Sequence, residues 1–163
     1  MSRPGPVRLL MVCTGNICRS PTAEGVLRAK AAAAGLADRL HIESAGIAGY
    51  HVGEPPDRRS QAHARKRGYD LSALRARRVM PADFEAFDWL LAMDRGHLNE
   101  LELMAPQRHS SRVSLFMDFA PGRAGRDVPD PYYGGPADFD QVLDLVEAAS
   151  EGLLERLLGY STK

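Results

Sequence analysis

Short apolar runs alternate along the chain with segments of helical periodicity. The apolar runs predict four buried strands, over Val7 to Val12, Leu40 to Ser44, Trp89 to Met93 and Val113 to Phe116. The intervening segments predict helices over Ser20 to Ala34, Arg58 to Arg67, Pro81 to Phe87 and Arg95 to Met104. Strands separated by helices favour parallel pairing with right-handed crossovers. We therefore predict an α/β, doubly wound fold with a four-stranded parallel sheet and helices on both faces.

The clearest helical pattern comes near the end of the chain, after a loop rich in proline and glycine over Phe119 to Pro136. Apolar residues then recur at three- and four-residue steps: Phe139, Val142, Val146, Ala149, Leu153 and Leu157. This spacing predicts a helix with one face against the core.

Length and composition fit one globular domain over residues 1–163. The 163 residues are 44% hydrophobic, enough for a substantial core. The formal net charge is zero, so charge gives no reason to expect nucleic acid or an anionic membrane as a partner. The apolar run Leu9 to Cys13 is too short for a signal peptide or a spanning helix, and we expect a soluble, cytoplasmic protein.

The chain has only two cysteines, Cys13 and Cys18. Their spacing fits neither a secreted disulfide framework nor a CxxC zinc site, and no further cysteine or nearby histidine completes a metal site. A reactive thiol is the better interpretation. A buried inert Cys13 is the plain alternative.

The stretch VCTGNICRSPTAE gives Cys13 a chemical setting. Cys13 ends the first predicted strand, where ligands bind in doubly wound folds, and Gly15 is expected to turn the chain inward. Ser20 and Pro21 read as the cap and first residue of a helix. Successive backbone amides from Thr14 to Arg19 then converge on one anion, and the helix dipole favours a thiolate. The Arg19 fork would hold two phosphoryl oxygens, so the loop predicts nucleophilic attack on phosphorus.

A second stretch, DPYYG, contains the only Asp-Pro pair in the chain. A protonated Asp130 would help a phenolic oxyanion leave, and the resulting carboxylate would then activate water. An ordinary turn is the alternative interpretation. The flat faces of Tyr132 and Tyr133 suit an aromatic substrate ring, although simple packing explains tyrosines as well.

VCTGNICRSP and DPYYG, in this order and in a chain of this length, resemble the low-molecular-weight protein tyrosine phosphatases of the bacterial type. The resemblance extends over nearly the whole chain. It implies hydrolysis of phosphotyrosine in proteins or peptides through a phosphocysteine, with no metal or other cofactor and with inorganic phosphate as product. The alternatives are a phosphotyrosine-binding module without turnover and a protein arginine phosphatase.

The resemblance also implies roles for individual residues. Cys13 is the nucleophile, Arg19 binds the phosphoryl oxygens and Asp130 is the general acid. The phosphate is held by Thr14, Gly15, Asn16, Ile17, Cys18 and Ser20. Asn16 and Ser20 also hold the loop in shape, with the Ser20 hydroxyl on the thiolate, and Ser44 supports Asn16. Tyr50 begins a segment similar to the family's variable wall loop, and the predicted substrate wall consists of Ile17, Tyr50, Tyr132 and Tyr133.

Two positions modify this interpretation. Leu74 stands where the family usually has a histidine, so any support from that histidine is missing or replaced. The related arginine phosphatases have threonine at the position of Ile17 and lack the tyrosine pair, which favours phosphotyrosine here.

Three features remain open. Cys18 is either a small packing residue or the partner that protects an oxidised Cys13 by forming a disulfide. The segment Arg58 to Arg78 has eight basic residues and one acid, typical of a solvated face, but it would attract acidic phosphopeptides if it borders the cleft. None of the five histidines has ligand spacing, and we assign none a role.

Overall fold

The computed structural model describes residues 5–109 and 111–160, and it shows the predicted four-stranded sheet. The strands are β1 (Val7–Cys13), β2 (Leu40–Gly46), β3 (Trp89–Ala92) and β4 (Arg112–Leu115). They pair in parallel in the order β2-β1-β3-β4. The doubly wound α/β prediction is therefore confirmed.

In the described part of the chain, five helices connect or follow these strands. They are α1 (Arg19–Ala33), α2 (Arg58–Lys66), α3 (Asp83–Ala86), α4 (Arg95–Met104) and α5 (Pro136–Leu158). Two short 3₁₀ turns, Ala37–Arg39 and Phe116–Phe119, were not predicted. Phe116 was assigned to the fourth strand but belongs to the second of these turns, so that strand lies one residue earlier than predicted.

Helices cover both faces of the sheet because β1 is apolar on both. Leu9 and Met11 join a cluster that includes α1 and α5, whereas Leu10 and Val12 join a second cluster that includes α3 and α4. Adjacent strand residues point to opposite faces, so a continuous apolar run marks a strand buried on each side. In α5, five of the six residues that predicted its apolar face are buried, and Leu157 is partly buried.

The order in which strands are added to the sheet reverses beside β1. From β1 the chain crosses first to β2 at one edge, and later to β3 and β4 on the other side. The carboxyl ends of β1 and β3 therefore open onto a crevice at the topological switch point. Within the described ranges, no helix is long and apolar enough to cross a membrane.

Candidate active site

The loop between β1 and α1, which we term the cysteine loop (residues 13–19), turns through an asparagine. Asn16 has a positive φ of 59°, whereas Gly15 does not. Asparagine tolerates the left-handed region better than most residues. Gly15 lies within the same bend, as expected, but the left-handed conformation in the turn belongs to Asn16. The absence of a side chain at Gly15 leaves room for His51, because a Cβ there would lie 2.9 Å from the His51 ring.

Helix α1 begins one residue earlier than predicted, at Arg19. Cys18 occupies the N-cap position without a side-chain cap, and Ser20 lies inside the first turn. The prediction of Ser20 as N-cap and Pro21 as first helical residue is therefore wrong. The Ser20 hydroxyl is not available as a cap, because it contacts Cys13 and Asn16.

The Cys13 thiol lies next to the Ser20 hydroxyl, at 3.0 Å between Sγ and Oγ. The amide of Asn16 donates to the same hydroxyl at 2.8 Å. The hydroxyl hydrogen is therefore free to point away from Asn16, and the Ala45 carbonyl oxygen is farther away than the sulfur, at 3.5 Å. Ser20 is thus arranged to donate a hydrogen bond to the Cys13 sulfur.

A buried chain of hydrogen bonds supports Asn16 from behind. Its amide nitrogen also donates to Ser44 Oγ at 2.9 Å, and Ser44 donates to Glu24 at 2.7 Å. Arg28 Nη2 lies 2.6 Å from the other Glu24 oxygen. On the opposite side, Asn16 Oδ1 accepts the backbone N–H of Arg77 at 3.0 Å. Each polar atom of the Asn16 amide is therefore used to fix the loop.

Glu24 is an unusual member of this hydrogen-bond network because its carboxyl group is buried. Burial raises its pKa, although the hydrogen bond from Ser44 and the charge of Arg28 act in the opposite direction. Leu74, where the family usually has a histidine, is partly buried and packs against the core. The described polar support of Asn16 thus comes from Ser44, backed by Glu24 and Arg28, and from the Arg77 backbone.

Arg19 is buried and oriented by the far side of the crevice. Its Nη1 donates to Asp94 Oδ2 at 2.7 Å and to the Val128 carbonyl at 3.0 Å. Its Nη2 lies 3.8 Å from Asp130 Oδ2, beyond hydrogen-bond distance. Burial alone would raise the pKa of Asp94, but hydrogen bonds from the His97 backbone and Arg19 outweigh it and lower that pKa. A charged Asp94 therefore holds Arg19, and Nη2 remains directed toward Asp130.

His97, which sequence reasoning left without a role, lies under the loop. Its Nε2 is 2.7 Å from Thr14 Oγ1. Its Nδ1 is 3.1 Å from Asp94 Oδ1, but the geometry gives no hydrogen bond, and Nδ1 has no other partner among the described residues. Burial lowers the pKa of His97 to about 4, despite the opposing charge of Asp94. The imidazole is therefore neutral at neutral pH.

A cleft of about 330 Å³ opens above the loop. The residues around it are Cys13, Thr14, Gly15, Ile17, Cys18, Arg19, Tyr50, His51, Asp130, Tyr132 and Tyr133. Three further residues predicted for the site, Asn16, Ser20 and Ser44, are buried and do not line the cleft. The structure thus brings together all the predicted site residues, in two groups: those that line the cleft and those that support its floor.

The outer rim of the cleft is exposed, in contrast to its floor. We term Tyr50, Tyr132 and Tyr133 the aromatic wall. Tyr50 and Tyr133 are 80% and 94% exposed, and Tyr132 is 37% exposed. The Asp130 side chain is half-exposed, and Asp130 Oδ1 accepts the backbone N–H of Tyr132 at 3.0 Å. An incoming aromatic ring would therefore meet open tyrosine faces beside a carboxyl group.

Cys18, like Cys13, is a buried, free thiol. Burial raises the pKa of Cys18 to about 12, and the charge of Asp57 adds to this effect. Cys18 therefore carries its proton at neutral pH. Across residues 5–109 and 111–160, no group of three or more histidine, cysteine, aspartate or glutamate side chains is arranged to hold a metal ion.

Sequence reasoning missed Asp94, His97 and Arg59 at this site. A signal for Asp94 was present, because it follows β3 and a polar residue after a buried strand is a candidate site residue in this fold class. His97 lies three residues farther along, on the first turn of α4. Arg59 was noted only as one of eight basic residues, although its guanidinium lies 5.4 Å from the Tyr132 ring.

The comparisons with known proteins agree with this geometry. Residues 8–160 match the family model of low molecular weight phosphotyrosine protein phosphatases. A low molecular weight protein-tyrosine-phosphatase of Streptomyces coelicolor is 46% identical over 150 residues, which cover 90% of this chain and 91% of that protein.

Two solved structures are similar to this chain over nearly its whole length. The crystal structure of YfkJ from Bacillus subtilis has a TM-score of 0.89 at 36% identity and covers 97% of this chain and 98% of its own. A Drosophila arginine phosphatase has a TM-score of 0.84 at 29% identity and covers 95% of this chain and 99% of its own.

Proposed function

Because the chain belongs to the low molecular weight phosphotyrosine protein phosphatase family, we propose that it hydrolyses phosphotyrosine in proteins or peptides through a phosphocysteine on Cys13. The carrying observation is that Cys13, Arg19 and Asp130 border one cleft, with Ser20 positioned to donate a hydrogen bond to the Cys13 sulfur. In this proposal inorganic phosphate is the product, and neither a metal nor another cofactor takes part.

In the first step, the Cys13 thiolate attacks phosphorus. A sulfur–phosphorus bond forms while the bond from phosphorus to the tyrosyl oxygen breaks, and Asp130 transfers its proton to that oxygen. The amides of the cysteine loop and the free part of the Arg19 guanidinium hold the phosphoryl oxygens, where charge is concentrated during transfer. Asp94 contributes by fixing the other side of that guanidinium.

In the second step, water displaces the cysteine. The Asp130 carboxylate takes a proton from water, the water oxygen bonds to phosphorus, and the sulfur–phosphorus bond breaks to return the thiolate. Ser20 assists this step, because its hydrogen bond stabilises the negative charge that returns to the Cys13 sulfur as the sulfur–phosphorus bond breaks. Cys18 serves neither step as a nucleophile, since its raised pKa keeps it protonated.

Turnover separates this proposal from a module that only binds phosphotyrosine. We expect hydrolysis of p-nitrophenyl phosphate in the presence of EDTA. Cys13→Ser should lose essentially all turnover but retain binding of inorganic phosphate, because a serine hydroxyl is a poor nucleophile while the amide cradle remains. Binding without turnover by the wild-type protein would support the binding module instead.

Ile17 and the aromatic wall favour phosphotyrosine over phosphoarginine. Ile17 lines the cleft with an apolar side chain, and the wall offers aromatic faces to a phenyl ring. We expect phosphotyrosine peptides to be preferred in kcat/KM by orders of magnitude over phosphoserine or phosphoarginine peptides, and Ile17→Thr to shift the preference toward phosphoarginine. Equal rates on the phosphotyrosine and phosphoarginine peptides would favour the arginine phosphatase alternative.

The second cysteine supports a proposal of redox regulation. Peroxide would oxidise the Cys13 thiolate to a sulfenic acid, and the Cys18 sulfur would then bond to that sulfur while its proton leaves with the hydroxyl group as water, which gives a disulfide. Cys18 remains protonated in the resting protein, so it does not compete for peroxide. We expect dithiothreitol to restore wild-type activity after mild peroxide, whereas Cys18→Ser stays inactive. Equal recovery would leave Cys18 as a packing residue.

A further inference from the structure

Arg59 lies at the start of α2, beside the cysteine loop. The residue before this helix, Asp57, donates its backbone N–H to the Ile17 carbonyl at 2.8 Å. The Asp57 carboxylate caps α2 through the backbone N–H groups of Arg59 and Ser60. The same carboxylate accepts from Arg59 Nε at 3.2 Å and from Arg59 Nη2 at 3.1 Å. One edge of the guanidinium is therefore fixed to a residue bound to the cysteine loop.

The same guanidinium also contacts the segment that carries Asp130. Arg59 Nη2 donates to the Tyr132 carbonyl at 2.9 Å. The guanidinium carbon lies 5.4 Å from the centre of the Tyr132 ring and 4.7 Å from that of Phe139, which is on α5. These distances are typical of cation–π contacts. Arg59 thus connects α2, the Asp130 segment and α5.

Tyr132 in turn fixes the Asp130 carboxyl. Its backbone N–H, which donates to Asp130 Oδ1 at 3.0 Å, is the only hydrogen-bond donor to this carboxyl within the described part of the chain. The nearest cation, Arg19 Nη2, is 3.8 Å away. Because the Asp130 side chain is 52% exposed, packing restrains it little. The direction of the carboxyl therefore depends on where the Tyr132 backbone is held.

From these contacts we propose that Arg59 is a positioning residue for Asp130. It holds the Tyr132 backbone against the cysteine-loop side of the cleft, so that the Asp130 carboxyl faces the leaving oxygen. The inference rests on the proposed function, in which Asp130 is the general acid. An arginine is required because its planar fork bonds Asp57 and the Tyr132 carbonyl together while its faces contact two aromatic rings.

Removing Arg59 should therefore lower kcat/KM by an amount that depends on the leaving group. Proton donation matters most for a phenol that leaves badly, as in phenyl phosphate, and least for p-nitrophenolate. Arg59→Met should lower kcat/KM for phenyl phosphate by about tenfold and for p-nitrophenyl phosphate by less than about twofold. The loss is smaller than the roughly 10²- to 10⁴-fold contribution typical of general acid catalysis, because Asp130 itself is still present. Arg59→Lys should resemble Arg59→Met, because an ammonium does not replace the fork.

Arg58→Met is the matched control. Arg58 is the exposed neighbour of Arg59 on the same helix turn, and its side chain forms no hydrogen bond or ion pair with the described residues. This variant removes the same charge from the same surface and should slow neither substrate. Inhibition by inorganic phosphate should be unchanged in both variants, since the cysteine loop is intact.

The decisive experiment is a double-mutant cycle with Asp130→Asn on the two aryl phosphates. If Arg59 acts through Asp130, Arg59→Met should slow phenyl phosphate no further once Asp130 is Asn. Additive losses, or equal slowing of the two substrates by Arg59→Met alone, would overturn the positioning role and leave the proposed function intact. If Asp130→Asn slows the two substrates equally, the general acid assignment fails, and the role of Arg59 fails with it.

Discussion

The cysteine loop and the aromatic wall face each other across one cleft but differ in how they are held. Asn16, Arg19 and Ser20 in and beside the loop are 2%, 4% and 0% exposed, and each is hydrogen-bonded to several partners. Tyr50 and Tyr133 on the wall are largely exposed. The floor of the cleft is therefore fixed by the protein interior, whereas its aromatic rim is open to solvent.

Arg59 is the exception that connects the two regions. It lies on the wall side of the cleft, yet it is bonded to Asp57, whose backbone is bonded to the cysteine loop. The half-exposed Asp130 is therefore held partly as the loop is held. If this comparison is correct, substitutions at the loop should affect catalysis and stability strongly, and substitutions at the wall should affect substrate preference.

After the loss of turnover expected for Cys13→Ser, the largest effect is expected from Arg19→Lys. One nitrogen of Arg19 is occupied by Asp94 and Val128, and the remaining nitrogens are left for phosphate. An ammonium group does not make both sets of bonds in this geometry. We expect kcat/KM for p-nitrophenyl phosphate to fall by about 10³-fold, the effect typical of losing a major transition-state contact. Arg58→Lys is the control, and a loss of less than about tenfold in Arg19→Lys would contradict the account.

The next effect concerns the pH dependence of stability. The pKa of His97 is lowered to about 4 in the folded protein, below its ordinary value of 6.5. The unfolded chain therefore binds a proton on His97 below pH 6.5, and stability is lost as the pH falls toward 4. Between pH 7 and 4.5 the free energy of unfolding should fall by about 2–3 kcal/mol more in wild type than in His97→Asn. Urea unfolding at both pH values measures this, and equal losses would contradict burial of a neutral His97.

The smallest effect is on the free energy of unfolding, and it compares the support of the cysteine loop with the aromatic wall. Ser44→Ala removes a hydroxyl that bonds both Asn16 and Glu24 in the interior, leaving buried polar groups unsatisfied. It should lower the free energy of unfolding by about 1–3 kcal/mol. Tyr133→Ala on the wall should change it by less than about 0.5 kcal/mol. Similar losses in urea unfolding at pH 7 would remove the distinction between a fixed loop and an open wall.

The sequence was sufficient to predict the sheet and much of the site, because these depend on local patterns. Apolar runs marked β1 to β4, and the neighbours of Cys13 marked an anion-binding turn. The sequence pattern did not show that β3 pairs with β1 on the side opposite β2. Because it does, Asp94, just after β3, meets Arg19 from 75 residues away.

Two local features of the loop differ from what local sequence preference favours, for one physical reason. Ser20 followed by proline predicted a helix cap, but its hydroxyl contacts Cys13 and Asn16, so α1 begins without a side-chain cap. Gly15 was expected to turn the chain inward and lies in the bend, but the left-handed conformation belongs to Asn16, which is stabilised by bonds to Ser44 and the Arg77 backbone. In both cases long-range hydrogen bonds override a local preference.

The most direct test of the account is detection of phosphate on Cys13 during turnover. Wild type and Asp130→Asn would be mixed with p-nitrophenyl phosphate, quenched rapidly in acid and analysed by peptide mass spectrometry. We predict one phosphoryl group on the peptide that contains Cys13, with more of it in Asp130→Asn because loss of the carboxylate slows attack by water. Phosphate on another residue, or continued turnover by Cys13→Ser with no phosphocysteine in wild type, would contradict the account.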